Sequence, residues 1–291
     1  MAPARIIDGT QIARDLRARV VADVAAFRRS TGIVPGLATL LVGEDPASEV
    51  YVRNKRKAAA EAGMADLHHH LDAGIGQSAI AELIAELSAD DAVSGILLQL
   101  PLPKGLDSAS LIDLIPPVKD VDGLTTVSAG LLVRGEQGLR PCTPSGVMAL
   151  IDSTGIDLDG ATAVVVGRSA LVGGPTSRLL LERNATVTIA HSHTRDLEGV
   201  TSLADVLVAA AGVPGLIGAN HIKQGAVVID VGIHRTDHGL IGDVRFDEVL
   251  ERAGWITPVP GGVGPMTIAM LLANTLAAAR MQAGIPAPEA R

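Results

Sequence analysis

Short apolar runs alternate with stretches of helical periodicity along this chain, and that alternation limits its fold more than any other feature. Leu37–Val42, Leu67–Leu71 and Gly95–Leu100 have the length of strands. Between and before them lie amphipathic segments. One runs from Thr10 to Arg29 and closes at Gly32; one opens with Asp45 as N-cap and Pro46 in the first position and continues past Tyr51 and Lys55 to Gly63; a third covers Ser78–Leu87. Continuous apolar strands joined through helices require crossover connections, so the expected sheet is mostly parallel and covered on both faces. The second half restarts the pattern with helix Ser145–Ile151, strand Ala163–Val166, helix Pro175–Arg183 and strand Thr186–Ala190. Strands Val206–Ala210 and Val227–Val231, a Pro/Gly-rich loop at Thr257–Pro265 and a last apolar helix follow, and that helix is expected to pack back on the first half. The predicted fold class is α/β in two domains, the second a doubly wound, Rossmann-like nucleotide domain.

Composition narrows the partners. The 291 residues suit two domains, and 47% hydrophobic with 19% charged residues is the composition of a folded protein with a sizeable core. A net charge of −8 argues against nucleic acid or an anionic membrane and favours a small molecule. The lone Cys142 forms no internal disulfide and no multi-thiolate metal site. Charged residues interrupt the N-terminus and Asn274 interrupts the apolar segment Met266–Ala279, so a signal peptide or membrane span is not expected and the chain reads as cytoplasmic.

Strand Ala163–Val166 leads into Gly167-Arg168-Ser169-Ala170-Leu171-Val172-Gly173-Gly174-Pro175, where glycines let the backbone approach a phosphate at a helix N-terminus. A tight strand-to-helix turn is the plain alternative, because the pattern is not G-x-G-x-x-G. The next strand ends at His191-Ser192-His193-Thr194-Arg195, with no acid where an NAD enzyme usually holds the ribose hydroxyls. Arg168, Ser192 and Arg195 suit a 2′-phosphate instead, which favours NADP; an ordinary polar strand end is the alternative.

Tyr51 and Lys55 are four apart on a predicted helix and project from one face. Lys55 sits among Arg53, Arg56 and Lys57, so a solvated basic face competes with a catalytic amine. Gln99 breaks the apolar strand Gly95–Leu100 near its carboxyl end, between Leu98 and Leu100, where parallel sheets present ligand sites. Asp122 precedes Gly123 and reads either as a site carboxylate or as a turn residue. His68, His69 and His70 alternate faces on a strand and do not gather as metal ligands; no metal is expected.

Tyr51-Val52-Arg53-Asn54-Lys55-Arg56-Lys57-Ala58, Gly95-Ile96-Leu97-Leu98-Gln99-Leu100-Pro101-Leu102-Pro103 and Lys119-Asp120-Val121-Asp122-Gly123 open a longer series of blocks. It continues with Pro141-Cys142-Thr143-Pro144-Ser145-Gly146, the Gly167 turn, Asp230-Val231-Gly232-Ile233, Gly242-Asp243-Val244 and Thr257-Pro258-Val259-Pro260-Gly261-Gly262-Val263-Gly264-Pro265-Met266-Thr267. In order and content these resemble the bifunctional methylenetetrahydrofolate dehydrogenase/methenyltetrahydrofolate cyclohydrolase family. Thr176 and Met64 depart from it, where methionine and isoleucine or a similar residue, respectively, are expected. The resemblance implies a folate domain of residues 1–141 plus 265–291, an NADP domain of residues 142–264, and a cleft between them. It implies oxidation of 5,10-methylenetetrahydrofolate to the methenyl form and hydrolysis to 10-formyltetrahydrofolate, within one-carbon metabolism and purine biosynthesis, by a homodimer acting on folates that include polyglutamylated forms.

By the same resemblance Lys55 moves protons, Gln99 holds it, Asp122 binds the pterin and Tyr51 packs on the folate. Leu98, Leu100 and Pro260, Gly261, Gly262, Val263 and Gly264 line the folate site; Gly167, Arg168, Ser169, Ser192 and Ile233 take the cofactor. A low-dielectric site and a cationic substrate favour the neutral amine at Lys55. Two rivals stand: a monofunctional NAD-dependent dehydrogenase, and a nucleotide-binding regulator without catalysis.

Overall fold

The computed structural model describes residues 3–237 and 239–285 and divides into two compact units. One unit joins the segment up to Arg14 to Thr143–Thr267; the other comprises Asp15–Cys142 and the chain from Ile268 onwards. All three divisions fall inside helices, Gly9–Thr31, Cys142–Asp152 and Val263–Gln282.

In the Asp15–Cys142 unit three parallel strands lie in the order Ala65–Leu71, Gly36–Val42, Gly95–Leu98. The central strand is buried along its whole length, because both of its faces are covered. Ala38, Leu40 and Val42 pack with Ile80, Ile84 and Leu111 on one side. Leu37 packs with Val24, Ala58, Ala59 and Leu272 on the other, which brings the last helix onto this sheet. Each such buried Leu or Ile contributes about 2 kcal/mol relative to leaving it exposed. The third strand stops at Leu98 instead of Leu100, so Gln99 and Leu100 stand beyond it.

The other unit carries a parallel sheet in the order Arg5–Ile6, Trp255–Ile256, Val227–Asp230, Val206–Ala209, Thr162–Val166, Thr186–Ala190. Val164, Val166, Leu207, Ala209, Val228 and Ile256 form one side of its core. The N-terminal segment joins this sheet at its edge. Arg5–Ile6 pairs with Trp255–Ile256, the Ile7 amide donates to the Ile256 carbonyl at 2.8 Å, and the Arg5 guanidinium lies 5.2 Å from the centre of the Trp255 ring. Two residues are too few to show a period in the sequence, and their partner lies some 250 residues away. A short antiparallel pair, His234–Thr236 with Gly239–Ile241, leaves the sheet and returns. No helix among the described residues is long and apolar enough to cross a membrane.

Candidate active site

Asp45 starts helix Pro46–Glu61 by accepting the Ser48 amide at 2.8 Å, with Pro46 in its first turn. The helix buries Ser48, Val52, Lys55, Ala58 and Ala59, a stripe at helical spacing that includes one cation. Lys55 is only 7% exposed, and its Nζ donates to Gln99 Oε1 at 3.0 Å. Its neighbours account for the basic run: Arg56 pairs with Asp66 at 2.8 Å and Lys57 with Glu61 at 3.8 Å. Lys55 is thus the buried member of that run. Tyr51, one turn earlier, is 44% exposed.

Gln99 is held where its strand ends. Its amide N–H donates to the Leu40 carbonyl at 2.9 Å, and its Nε2 donates to the Leu100 carbonyl at 2.6 Å, which leaves Oε1 turned to Lys55. Leu98 is buried and Leu100 half-buried beside it.

The turn that carries Asp122 is built by Asp120, not by Asp122. Asp120, 1% exposed, accepts the Gly123, Leu124 and Thr125 amides at 2.9, 3.1 and 2.9 Å. Gly123 has a φ of 70°, and a Cβ there would overlap the Arg140–Pro141 peptide. Asn274, from the last helix, donates through Nδ2 to the Val121 and Arg140 carbonyls, both at 2.8 Å. The Cys142 thiol donates to the Val121 carbonyl at 3.2 Å. Asp122 is thus clamped through both neighbours. Burial raises the pKa of its carboxyl; the nearby Lys55 ammonium opposes that rise, and the Asp120 charge adds to it. Burial, and then the Asp122 charge, push the Cys142 thiol well above its ordinary value, so it is not a nucleophile at neutral pH. Lys55, Gln99 and Asp122 are therefore one electrostatic cluster. Sequence reading missed the parts played by Asp120, Cys142 and Asn274. The signal for Asn274 was its polarity inside an apolar helix.

In the other unit, strands Thr162–Val166 and Thr186–Ala190 are neighbours, and the Gly167 amide donates to the Ala190 carbonyl at 2.8 Å. Arg168 and Ser192 leave adjacent strand ends and are exposed, as is Arg195. Ser169 Oγ accepts the Val172 and Gly173 amides at 3.1 and 3.4 Å, which ties the Gly167 turn to the start of helix Gly173–Glu182. A Cβ on Gly167 (φ 129°) would overlap the Ala210 carbonyl, and one on Gly173 would overlap Gly167. Backbone thus comes close to backbone with no side chain filling the turn, and the flanking donors are cationic or hydroxyl. These residues fit a phosphate-bearing dinucleotide.

Ile233 follows the Val227–Asp230 strand and is 46% exposed. Gly261 and Gly262 pack against the start of the first helix: Thr10 N–H donates to the Gly261 carbonyl at 3.0 Å, and a Cβ on Gly9 would overlap Gly262. The structure groups Pro260–Gly264 with Thr143–Thr267, apart from the unit that holds Lys55.

Residues 7–122 match the family model "Tetrahydrofolate dehydrogenase/cyclohydrolase, catalytic domain", and residues 141–283 match its NAD(P)-binding domain. The chain belongs to the tetrahydrofolate dehydrogenase/cyclohydrolase family. It is an enzyme of one-carbon metabolism, an oxidoreductase and hydrolase of tetrahydrofolate derivatives. Bifunctional protein FolD 2 of Frankia alni is 64% identical over 282 residues, spanning 97% of this chain and 98% of the relative. The FolD methylenetetrahydrofolate dehydrogenase/cyclohydrolase of Campylobacter jejuni superposes with a TM-score of 0.93 at 43% identity, covering 96% of this chain and 99% of that one. The Trypanosoma brucei dehydrogenase-cyclohydrolase, solved with NADP cofactor and an inhibitor, superposes with a TM-score of 0.92 at 40% identity, covering 97% and 99%. The tetrahydrofolate dehydrogenase/cyclohydrolase family thus accounts for both units, and the two-domain α/β class expected from the sequence is the one found.

Proposed function

We propose that this chain oxidises 5,10-methylenetetrahydrofolate with NADP and hydrolyses the 5,10-methenyl product to 10-formyltetrahydrofolate, with Lys55 moving the protons of the hydrolysis. The observation that carries the residue assignment is the 3.0 Å bond from the buried Lys55 Nζ to Gln99 Oε1, with the Asp122 carboxyl near enough to feel that charge. Asp15–Cys142 with the last helix is the folate-handling unit, and Thr143–Thr267 the nucleotide-handling one.

NADP, when bound, supplies the hydride acceptor. Arg168 and Ser192, with Arg195, would hold its 2′-phosphate; Gly167 and Ser169 would form the turn under the phosphates; Ile233 would border the nicotinamide. An acidic residue that would select NAD is missing from the end of strand Thr186–Ala190. The carbon that loses hydride lies between two nitrogens whose lone pairs stabilise the cation, so oxidation asks the protein for placement more than for proton transfer. Tyr51 packs on the folate, Asp122 binds the pterin, and Leu98 and Leu100 line its path.

Hydrolysis makes a different demand. Water adds to the methenyl carbon while Lys55, as the neutral amine, takes its proton; the carbon–N5 bond then breaks as N5 receives that proton from Lys55, and the hydroxyl proton passes to solvent as the formyl carbonyl forms. Gln99 Oε1 fixes where the amine points. We read the enzyme as a cytoplasmic homodimer that accepts polyglutamylated folates and binds neither nucleic acid nor membrane.

The test is a paired assay of purified protein with 5,10-methylenetetrahydrofolate and either NADP or NAD, following reduced nicotinamide and both folate products, beside Lys55→Met. Reduction of NADP in preference to NAD, formation of the 10-formyl product, and a roughly 10²- to 10⁴-fold loss of hydrolysis in Lys55→Met are expected. Preference for NAD would remove the roles given to Arg168 and Ser192. Folded protein without turnover would overturn the whole reading.

A further inference from the structure

A doubly wound sheet binds its ligand outside the carboxyl ends of the strands where the strand order reverses. In this unit the reversal lies at Thr162–Val166, which has Thr186–Ala190 on one side and Val206–Ala209 on the other. There the Gly167 turn lies against Ala210–Gly212, closely enough that a Cβ on Gly167 would strike Ala210. Ala210–Gly212 does not hold itself in place. The carboxylate of Asp243, fully buried, accepts the Ala211 and Gly212 amides through Oδ2 at 2.7 and 2.8 Å. Its other oxygen, Oδ1, is 2.7 Å from His234 Nε2, a nitrogen that must carry the proton to bond a carboxylate. Asp243 is itself anchored, because its amide donates to Asp230 Oδ1 at 2.9 Å and its carbonyl accepts from the Ile217 amide at 2.9 Å.

One carboxylate therefore joins the turn at the strand reversal to the loop that carries Ile233, and the imidazole completes the link. We infer that Asp243 and His234 are positioning residues for hydride transfer: Asp243 sets the Ala211–Gly212 turn beside the dinucleotide, and His234 ties the Ile233 loop to that turn. This rests on the dinucleotide reading above. Neither side chain has a role in the hydrolytic step, which needs no hydride acceptor. The two activities of one protein therefore separate positioning from general stability.

The experiment uses the full-length chain. Wild type is first assayed for NADP-dependent oxidation and, separately, for hydrolysis of 5,10-methenyltetrahydrofolate without NADP; absence of oxidation here would defeat the functional reading before the inference is tested. His234→Ala is then expected to lose oxidation kcat/KM for NADP by roughly 10- to 100-fold, the range a misplaced reacting group costs, while hydrolysis is retained. His234→Gln, whose Nε2–H reaches a similar point, is expected to recover most of that loss. If His234→Ala does not fold, His234→Phe keeps the ring without the donor and is read the same way. Equal losses in both activities, undiminished oxidation, or no recovery with glutamine would each overturn the inference.

Discussion

The two units differ in where one kind of buried charge is turned. In the unit of Asp15–Cys142 Asp120 serves backbone amides, but the buried Lys55 ammonium is turned to a side chain, the Gln99 amide, with the Asp122 carboxyl close enough to be influenced by it. In the unit of Thr143–Thr267 the buried carboxylates are given to the backbone. Asp230 accepts the Gly232, Asp243 and Val244 amides, and Asp243 accepts those of Ala211 and Gly212. Two of its exposed cations, Arg168 and Arg195, follow neighbouring strands of the sheet. The difference matches the two chemical demands. Proton transfer needs a titratable side chain held away from water, whereas hydride transfer needs loops that do not move.

The largest effect that tests this contrast is a pH dependence. Burial raises the Asp230 pKa to about 6 from 3.8; its three amide donors oppose that rise and the Asp243 charge adds to it. Between those two values the folded chain holds a proton that the unfolded chain has lost. The Asp230 contribution to stability is therefore fully present below about 3.8 and is lost as pH rises through about 6, a span worth on the order of 3 kcal/mol. Urea unfolding of wild type is expected to show greater stability at pH 5 than at pH 7 from this group, and Asp230→Asn is expected to flatten that slope. An unchanged slope in Asp230→Asn would mean that the three amides outweigh burial, and the carboxylate would then be a settled anion.

A smaller effect examines the other unit. Asn274→Ala removes the donors to the Val121 and Arg140 carbonyls, which flank the turn of Asp122. Leaving those carbonyls unsatisfied costs about 1–3 kcal/mol, measurable as a lower midpoint in urea. The folate KM is expected to rise in both assays while the NADP KM stays put, the reverse of the His234→Ala pattern. A change in the NADP KM alone would break the division of labour between the units.

Much of this was legible in the sequence because it depended on local pattern. The apolar runs became strands, and the four-residue spacing of Tyr51 and Lys55 placed both on one helix. Gln99, the polar residue at the end of an apolar strand, met Lys55. What was hidden depended on distant partners. Arg5–Ile6 joins a sheet only because Trp255–Ile256 waits for it. Asn274 looked like an interruption of an apolar helix until the carbonyls of residues 121 and 140 appeared beside it. In Lys119-Asp120-Val121-Asp122-Gly123 two aspartates competed for the turn, and only the amide contacts assign it to Asp120.

The smallest predicted effect concerns Thr176, where methionine was expected from the family. It lies in helix Gly173–Glu182, is completely buried, and its Oγ1 has no hydrogen-bond partner among the described residues. A buried hydroxyl without a partner has surrendered its water without compensation, so the isosteric change to an apolar group is favourable. Thr176→Val keeps the branched shape and replaces only the hydroxyl, and it is expected to stabilise the protein by about 1 kcal/mol in urea unfolding. NADP affinity is expected to stay unchanged, because the helix start is held by Ser169 Oγ and by the contact of Gly173 with Gly167, which the substitution leaves intact. A loss of stability would show that the hydroxyl is satisfied after all. A loss of NADP affinity at unchanged stability would move Thr176 from the packing of this unit into its nucleotide site, and the contrast between a backbone-built cofactor site and a side-chain-built chemical site would then need redrawing.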